Sequence, residues 1–276
     1  MSNLRIIKYP GAKGVLVPEI KRVFLRSGKL RFVDALGGSG AVSLNLDAGE
    51  TVYNDLNQDL VNIFNVIKWN PDAIESALSV LASFLKNGHV KNPGKGTARD
   101  PVKLIRSRMP PMTREEEMAI RAIYGFSATF GGMGSTYATE AEKSVGRYIE
   151  KTLKDFPKIS KRVFTWEIKN LDFRALVEKY NTEESFFYFD PPYPGKTWYN
   201  QNFSHQDFKD LRGLFPSIKG NYLMNLEADD KHLLEMFGKP TFVKSYRNAN
   251  GKFQAMERPL RVKAFYTNVQ YPGSST

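Results

Sequence analysis

Two short apolar runs, each ending in an aspartate and a tight turn, constrain the fold of this chain more than any other feature. Residues 29–36, KLRFVDAL, run into the turn GGSG and then into AVSLNL, which reads as a helix start. Residues 185–190, SFFYFD, are apolar up to the first residue of DPPY. A third run, TVYNDL at 51–56, precedes DLVNIFNVIKW, whose apolar residues are spaced for the buried face of a helix. Strands that alternate with helices predict an α/β fold with a largely parallel sheet.

A basic region interrupts this alternation. The chain of 276 residues has a formal net charge of +11, and residues 68–162 hold 17 Lys and Arg against 10 Asp and Glu, a surplus of 7. We therefore interpret residues 68–163 as an inserted, mainly helical domain, and residues 1–67 and 164–276 as a discontinuous domain that contains the sheet. A basic surplus favours a polyanionic partner, most often nucleic acid. Lys95 and Arg99, in a Gly- and Pro-containing stretch, are candidates for phosphate contacts, with a solvated loop as the alternative.

The absence of cysteine excludes several classes of protein. It rules out disulfides, cysteine-ligated zinc, iron–sulfur clusters and a thiol nucleophile. The three histidines lack metal-like spacing, so no metal is expected. The first 14 residues lack the apolar core of a signal peptide, and no stretch approaches about 18 consecutive apolar residues. We therefore expect a cytoplasmic protein with no membrane partner.

The glycine turn carries the first candidate site. Gly37, Gly38 and Gly40 allow the backbone to approach a ligand at the carboxyl end of a strand, where open α/β sheets bind ligands. No Gly-Lys-Ser/Thr sequence follows, so the turn is not a phosphate loop. Asp34 can pair with a ligand ammonium group, and Asp55, at the end of the next strand, can accept hydrogen bonds from ribose hydroxyls. The spacing favours a nucleoside-containing ligand, although Asp55 could instead cap the following helix.

Asp190, Pro191, Pro192 and Tyr193 form the second candidate site. The two prolines fix the backbone and remove two amide donors, so the carbonyl groups of this segment become fixed acceptors. A carboxylate and a proline carbonyl together can accept both hydrogens of an amino group, and the tyrosine ring can stack on a base. This combination suits a flipped-out nucleobase held by its exocyclic amine. As structure alone, the tetrapeptide would be a turn that leaves a strand.

Four segments, in this order along the chain, resemble the Dam-type (D12 class) DNA adenine-N6 methyltransferases, a family that includes phage members. They are KYPGAKG (8–14), FVDALGGSGAVSLN (32–45), YNDLNQDLVNIF (53–64), and NLDFRALV (170–177) followed by DPPY. The resemblance implies a Rossmann-like S-adenosylmethionine-dependent methyltransferase fold with an inserted DNA-recognition domain. It also implies methyl transfer to adenine N6 in duplex DNA, by base flipping and direct in-line transfer without a metal.

The resemblance further implies roles for individual residues. The implied S-adenosylmethionine contacts are Tyr9, Lys13, Asp34, Gly37, Gly38, Gly40, Asp55, Asp172 and Phe173. Within this set, Lys13 would lie near the methionine carboxylate, and Asp172 and Phe173 would hold the cofactor adenine. Asp190 and the Pro191 carbonyl would accept hydrogen bonds from the target amine, with Tyr193 stacked on the target base.

In the insert, VGRYIEKTLKDFPKI (145–159) matches the family better than FSATFGGMGSTYATE (126–140). Arg147 and Lys151 are therefore candidates for DNA contact, with a solvated helix face as the alternative. We expect a monomer, in the host cytoplasm if the protein is phage-encoded. Restriction, evasion of host defence and replication timing would all use the same domain.

Three alternatives stay open at this point, and one of them is RNA as the substrate, since a basic surplus indicates contact with phosphate and does not distinguish the sugar. Methylation of cytosine N4 uses the same chemistry on a similar amine, but relatives with that activity more often carry Ser than Asp at the first DPPY position. Another alternative is a non-catalytic DNA-binding protein that retains the fold. It stays open because the glycine motif departs from the family's Pro-Phe and Ala-Gly-Ser-Gly pattern. Methylation at cytosine C5 is excluded, since it needs a thiolate and the chain has no cysteine.

Overall fold

The computed structural model describes residues 3–9, 14–86, 100–128, 141–192, 203–247 and 260–270. The α-helices in these ranges are α1 (Val17–Ser27), α2 (Gln58–Trp69), α3 (Pro71–Lys86), α4 (Pro101–Ile105), α5 (Arg114–Ala128), α6 (Ala141–Phe164), α7 (Phe173–Tyr180), α8 (His205–Leu214) and α9 (Lys231–Phe237). Short 3-10 helices follow α4 and α8, at Arg106–Arg108 and Phe215–Ser217. In the described part of the chain, no helix is both long and apolar enough to cross a membrane.

The strands form one sheet. They are β1 (Arg31–Asp34), β2 (Glu50–Asn54), β3 (Trp166–Lys169), β4 (Ser185–Phe189), β5 (Asn221–Glu227), β6 (Phe242–Arg247) and β7 (Leu260–Thr267), in the order β3-β2-β1-β4-β5-β7-β6. β4 pairs in parallel with β1 and β5, whereas β7 is antiparallel to β5 and β6. This is the doubly wound order 3-2-1-4-5-6 with an antiparallel strand added between β5 and β6. The predicted α/β fold is confirmed.

Contacts divide the chain into two compact units. We call Met1–Gly14, Gly37–Asp47 and Tyr53–Asn170 the helical unit, and Val15–Leu36, Ala48–Val52 and Leu171–Thr276 the sheet unit. The predicted insert, residues 68–163, falls within the helical unit, which also contains the glycine turn and α2. The boundaries of the insert as a separate domain stay a prediction.

Amphipathic helices build the core of the helical unit. The predicted face of α2 is buried, including Ile63 and Phe64, which are fully inaccessible to solvent. α6 packs along α3, where a Cβ added at Gly146 would lie 3.2 Å from the Leu85 Cβ. The packing of these apolar faces, rather than helix propensity, stabilises the helices.

The core of the sheet unit lies on both faces of β4, whose five residues are all buried. On one face, the Phe24 ring of α1 packs edge-on against Phe32 and Phe186, at centroid distances of 5.5 and 5.3 Å. On the other face, Phe187 and Phe189 belong to a cluster with residues of α7 and α8. A strand buried on both faces is continuously apolar, which is why SFFYF shows no alternation.

The helix predicted at AVSLNL is wrong. Residues 41–45 form turns, and the Asn45 side chain bonds both to the carbonyl four residues earlier and to the distant Leu4. Its Nδ2 donates to the carbonyls of Ala41 and Leu4, and its Oδ1 accepts the Leu4 amide at 2.8 Å. Asparagine side chains compete with helical hydrogen bonds in this way.

Candidate active site

Asp190 directly follows β4, beside the point where the strand order of the sheet reverses. Open α/β sheets bind ligands at this switch point, outside the carboxyl ends of the strands. Asp34 ends the neighbouring strand β1 in register with Tyr188, and its side chain is buried. Two strands of the sheet unit therefore each bring a carboxylate to the same edge.

The Asp190 carboxylate is held from the adjacent strand β5. Asn225 Nδ2 donates to Asp190 Oδ1 at 3.1 Å. The Tyr188 hydroxyl in turn donates to Asn225 Oδ1 at 2.5 Å, and both side chains are buried. The sequence interpretation treated NYLMNL only as a strand, although an asparagine inside an otherwise apolar run was a usable signal.

The Tyr188 hydroxyl donates its hydrogen to Asn225 at every pH in the working range of enzymes. Burial raises the pKa of its hydroxyl well above the ordinary range, and the charges of Asp190 and Asp34 raise it further. The phenol therefore stays protonated throughout the pH range in which enzymes work. An asparagine next to it can accept from the hydroxyl only through its carbonyl oxygen.

The rest of the tetrapeptide is partly described. Pro191 is buried and Pro192 is partly exposed, so the chain leaves β4 through two residues that have no amide hydrogen to satisfy. Tyr193 lies outside the described residues, as do Lys13, Lys95 and Arg99.

The glycine turn lies in the helical unit and is fixed by backbone hydrogen bonds. Gly37 N donates to Asn54 O at 2.7 Å, and Gly40 N donates to Gly37 O at 2.9 Å. Gly38 and Gly40 have φ values of +52° and +65°, which L side chains rarely adopt. The Tyr53 hydroxyl donates to Gly38 O at 2.6 Å and so holds the turn against the end of β2.

Asp55 connects this turn to the start of α2. Its Oδ2 accepts the Gly38 amide and its Oδ1 accepts the Asn57 amide, each at 2.8 Å. Burial raises the pKa of the Asp55 carboxyl, and these two backbone hydrogen bonds oppose the increase. The N-cap of α2 is Asn57, whose side chain accepts from Asp59 N. Asp55 is therefore not the cap, and its carboxylate is held at the end of β2.

Tyr9 lies against the same turn. A Cβ built at Gly38 would lie 3.4 Å from the Tyr9 ring, and this ring packs edge-on against Phe126 at 5.5 Å. The structure thus brings together Tyr9, the three glycines and Asp55 within the helical unit, and their contact with a cofactor stays a prediction.

Asp172 and Phe173 occupy the start of α7, in the sheet unit. Asp172 is the N-cap, accepting from Arg174 N at 2.8 Å, and it also forms an ion pair with the Arg174 guanidinium at 3.0 Å. The Phe173 ring is buried and lies 5.3 Å from the Phe203 ring. Both have structural contacts, and their predicted contact with a cofactor adenine stays a prediction.

Arg174 joins α7 to α8 through three carboxylates. Besides Asp172, its guanidinium donates to Asp207 and Asp210, both at 2.5 Å. Burial alone would raise the pKa of Asp207, but hydrogen bonds from Arg174 and Ser204 outweigh it and leave the pKa lowered. Hydrogen bonds from Gln206 and Arg174 lower the pKa of Asp210. The cluster thus favours the ionised carboxylates.

This cluster predicts a loss of stability in acid. Because the folded-state pKa values of Asp207 and Asp210 are lowered, their contribution is complete above the unfolded pKa of about 3.9 and is lost as the pH falls through the folded values. We expect Arg174→Met to lower the Tm at pH 7 by roughly 2–5 °C and to weaken the fall of Tm below pH 4. Thermal unfolding followed by circular dichroism checks this. Arg212→Met, at an exposed arginine of α8, is the control, and an equal acid response in both variants would contradict the assignment.

Two of the candidate DNA-contacting residues lie on α6 in the helical unit. Arg147 and Lys151 are exposed, and so are Lys154, Lys158 and Lys161. Successive spacings of four, three, four and three residues place all five on one face of the helix, over about 21 Å of its length. We call these five residues the basic face of α6. Three of its members were missed in the sequence interpretation, although the periodicity was visible in KTLKDFPKISK.

Among the described residues, no group of three His, Asp or Glu side chains is arranged to hold a metal ion.

Comparison with known proteins gives a consistent result. Residues 9–244 match the model of the family described as D12 class N6 adenine-specific DNA methyltransferase. The chain is similar to the Type II methyltransferase M1.LlaDCHI of Lactococcus lactis subsp. cremoris, with 26% identity over 238 residues, which is 80% of either chain. It is also similar to the DNA adenine methylases of Serratia marcescens (36% identity) and Escherichia coli strain K12 (34%), each over 70 residues. These two matches span 25% of this chain, and 25% and 24% of the respective methylases.

Proposed function

The chain belongs to the D12 class of N6 adenine-specific DNA methyltransferases, and on that premise we propose how its residues transfer a methyl group to adenine N6 in duplex DNA. The resemblance seen in the sequence is thereby confirmed, and adenine is favoured over cytosine as the methylated base. One observation carries the proposal for the reacting end. Asp190, the first residue of DPPY, is held by a buried asparagine at the switch point of the sheet.

Asp190 and the Pro191 carbonyl are proposed to bind the adenine amine. In free adenine the N6 lone pair is conjugated into the ring, which makes the nitrogen a poor nucleophile. Two acceptors that take both amine hydrogens draw the nitrogen toward sp³ geometry, and a carboxylate also stabilises the positive charge that develops on it. The adenine has to leave the helical stack to reach these groups, so the proposal includes base flipping, with Tyr193 stacked on the base. The nitrogen would then take the methyl group directly: the methyl–sulfur bond of the donor would break as the carbon–nitrogen bond forms, the thioether would leave, and the nitrogen would lose one proton, with no covalent intermediate on the protein.

S-adenosylmethionine is the proposed methyl donor. When bound, it supplies a methyl group on an electrophilic sulfonium. The helical unit offers groups that fit it, because each Asp55 oxygen accepts one backbone amide and can accept a further hydrogen bond from a ribose hydroxyl. Tyr9 and the glycine turn lie beside this carboxylate. Lys13, Asp34, Asp172 and Phe173 keep the donor-binding roles that the family resemblance implies.

Duplex DNA is proposed to bind along the basic face of α6, within the insert that we propose as the recognition domain. The face presents five exposed cations, with the partly exposed acids Glu150 and Asp155 on its two sides. Arg147 and Lys151 belong to it, and Lys95 and Arg99 are proposed as additional phosphate contacts. Lysine and arginine contacts with phosphate release counterions, which makes affinity strongly dependent on salt.

Neutralising the basic face should reduce that salt dependence. We expect the triple variant Lys151→Gln/Lys154→Gln/Lys158→Gln to weaken DNA binding and to lower the slope of log Kd against log salt by up to about 2.7, since each phosphate contact contributes about 0.9. Fluorescence anisotropy with a labelled duplex at several salt concentrations measures it. The matched control, Lys209→Gln/Lys219→Gln/Lys239→Gln, removes the same charge from exposed lysines of the sheet unit. Equal slopes in the two triple variants would refute a contact at α6.

The reaction is tested with purified protein, methyl-labelled S-adenosylmethionine and unmethylated genomic DNA. Digestion to nucleosides followed by mass spectrometry should show N6-methyladenine. N4-methylcytosine in its place would overturn the assignment to adenine. No labelled nucleoside together with retained DNA binding would favour a non-catalytic DNA-binding protein.

A further inference from the structure

A buried chain of hydrogen bonds runs beneath the proposed catalytic carboxylate. It begins at the Tyr188 hydroxyl, passes through the Asn225 carboxamide and ends at Asp190 Oδ1, with distances of 2.5 and 3.1 Å. Asn225 is fully inaccessible to solvent and Tyr188 is 1% exposed. Buried polar groups are costly unless they are paired, so this chain is a specific feature and not incidental packing.

Strand register explains how the three side chains meet. β4 and β5 pair in parallel with Tyr188 opposite Leu223 and Phe189 opposite Met224, so Asn225 is the next residue of β5 when the chain reaches Asp190. Tyr188 and Asp190 are two residues apart and therefore project to the same face of the sheet. Asn225 on the adjacent strand bridges them.

The chemistry of the groups fixes the direction of the chain. An ionised carboxylate can only accept, so Asn225 must present its NH₂ to Asp190. Its carbonyl oxygen then faces the tyrosine, which donates its single hydroxyl hydrogen. If the Asn225 carboxamide were turned over, the Tyr188 hydroxyl would lose its acceptor and the Asp190 carboxylate would lose its donor. The hydrogen bond from Asn225 therefore restrains rotation of the Asp190 carboxylate about its Cβ–Cγ bond.

We propose that Asn225 is a positioning residue for methyl transfer, with Tyr188 as its support. This proposal rests on the role of Asp190 in the proposed function. Asn225 fixes one oxygen of the carboxylate, so that the carboxylate is already oriented when the adenine amine arrives and no reorganisation accompanies the reaction. A neutral carboxamide does this without adding a charge that would compete with the developing positive charge on the amine.

The contact itself is tested by thermal unfolding, independently of activity. Asn225→Asp removes the donor and sets a second carboxylate against Asp190, and we expect it to lower the Tm at pH 8 by roughly 4–8 °C. Adding Asp190→Asn to that variant restores a donor and acceptor pair, so the double variant should regain most of the lost Tm. If the two substitutions lower the Tm additively, the two side chains are not coupled and the proposal is overturned.

The positioning role is tested by separating turnover from binding. We expect Asn225→Leu, similar in size, to lower kcat about 100-fold and Tyr188→Phe to lower it about tenfold, with the KM for DNA and the Kd for S-adenosylmethionine within about twofold of wild type. The control Tyr266→Phe removes a hydroxyl that donates to Gly238 O in the same unit and should keep full turnover. A well-folded Asn225→Leu variant with wild-type kcat would overturn the positioning role of Asn225 and leave the proposed function standing. A wild-type protein that forms no N6-methyladenine would overturn the proposed function, and the positioning role with it.

Discussion

Replacement of Asp190 by alanine is expected to reduce kcat for N6-methyladenine formation by at least about 1000-fold. The carboxylate is the proposed acceptor for the adenine amine, and removal of a preorganised group that stabilises developing charge typically costs about 10²–10³ in kcat. Asp190 also carries the negative charge that the reacting nitrogen meets as it becomes cationic. The loss should therefore lie at or beyond the upper end of that range.

The same variant should keep its fold and its donor affinity. Asp190 follows β4 and is not one of the residues of its hydrophobic core, so its truncation leaves the apolar packing of the strand intact, and the loss of the Asn225 hydrogen bond should lower the Tm without unfolding the protein. Single-turnover kinetics with quantification of N6-methyladenine measure the effect, and calorimetry with S-adenosylmethionine measures donor binding. Glu235→Ala, which removes an exposed carboxylate from α9 of the same unit, is the control. If Asp190→Ala retains more than about a tenth of wild-type kcat, another group holds the amine.

Asp190→Asn separates the contribution of the negative charge to kcat from the contribution of a correctly placed hydrogen-bond acceptor. The carboxamide keeps one acceptor oxygen but loses the charge, and its NH₂ would compete with the donor that Asn225 presents. We expect a smaller loss of kcat than in the alanine variant, because one hydrogen bond to the amine can still form. Equal losses in the two variants would mean that the negative charge provides the whole effect.

The parts of the fold that the sequence predicted are those set by local patterns. Phe32 to Asp34 and Phe186 to Asp190 are uninterrupted apolar segments that end in an acid and a turn, and both proved to be strands beside the switch point. The spacing of Leu60, Ile63 and Phe64 likewise indicated the buried face of α2. In each case the neighbours along the chain decide the structure.

The parts that were missed depend on register between distant strands and helices. Asn225 becomes a partner of Asp190 only because β5 pairs with β4 in one particular register. The interaction of Arg174 with Asp207 and Asp210 similarly requires α7 and α8 to lie side by side. Sequence periodicity identifies the face of an element but carries no information about which residue of another element it meets.

The glycine motif departs from the pattern of the family, but the structure explains what its glycines do here. A Cβ at Gly37 would lie 2.3 Å from the Tyr53 ring, and a Cβ at Gly40 would lie 2.7 Å from the Phe64 ring. These two rings are in contact at 4.6 Å and pack against Trp166, and all three side chains are buried. The turn therefore rests directly on a buried aromatic layer that leaves no room for a Cβ at Gly37 or Gly40.

Gly40→Ala is accordingly expected to lower the free energy of unfolding by about 2–5 kcal/mol. About 1–2 kcal/mol comes from forcing alanine to a φ of +65°, and about 1–3 kcal/mol from the clash with the buried Phe64 ring. Urea denaturation measures the change. Because Asp55 accepts the amide of Gly38 in the same turn, a displaced turn should also weaken the binding of S-adenosylmethionine.

Two other glycines separate the two causes. Gly28 has a φ of +66° with nothing within 4 Å of its added Cβ, so Gly28→Ala should lose only the backbone part, about 1–2 kcal/mol. Gly213 lies in α8 with the same open space and without a positive φ, so Gly213→Ala should stabilise the protein by about 0.4–1 kcal/mol.

The excess loss of stability in Gly40→Ala over Gly28→Ala then measures the clash with the aromatic layer. Gly40→Ala should cost less in a Phe64→Leu background than in the wild type, because the smaller side chain relieves the clash. Equal losses at Gly40 and Gly28 would show instead that the layer yields, and that Gly40 is required for its backbone conformation alone.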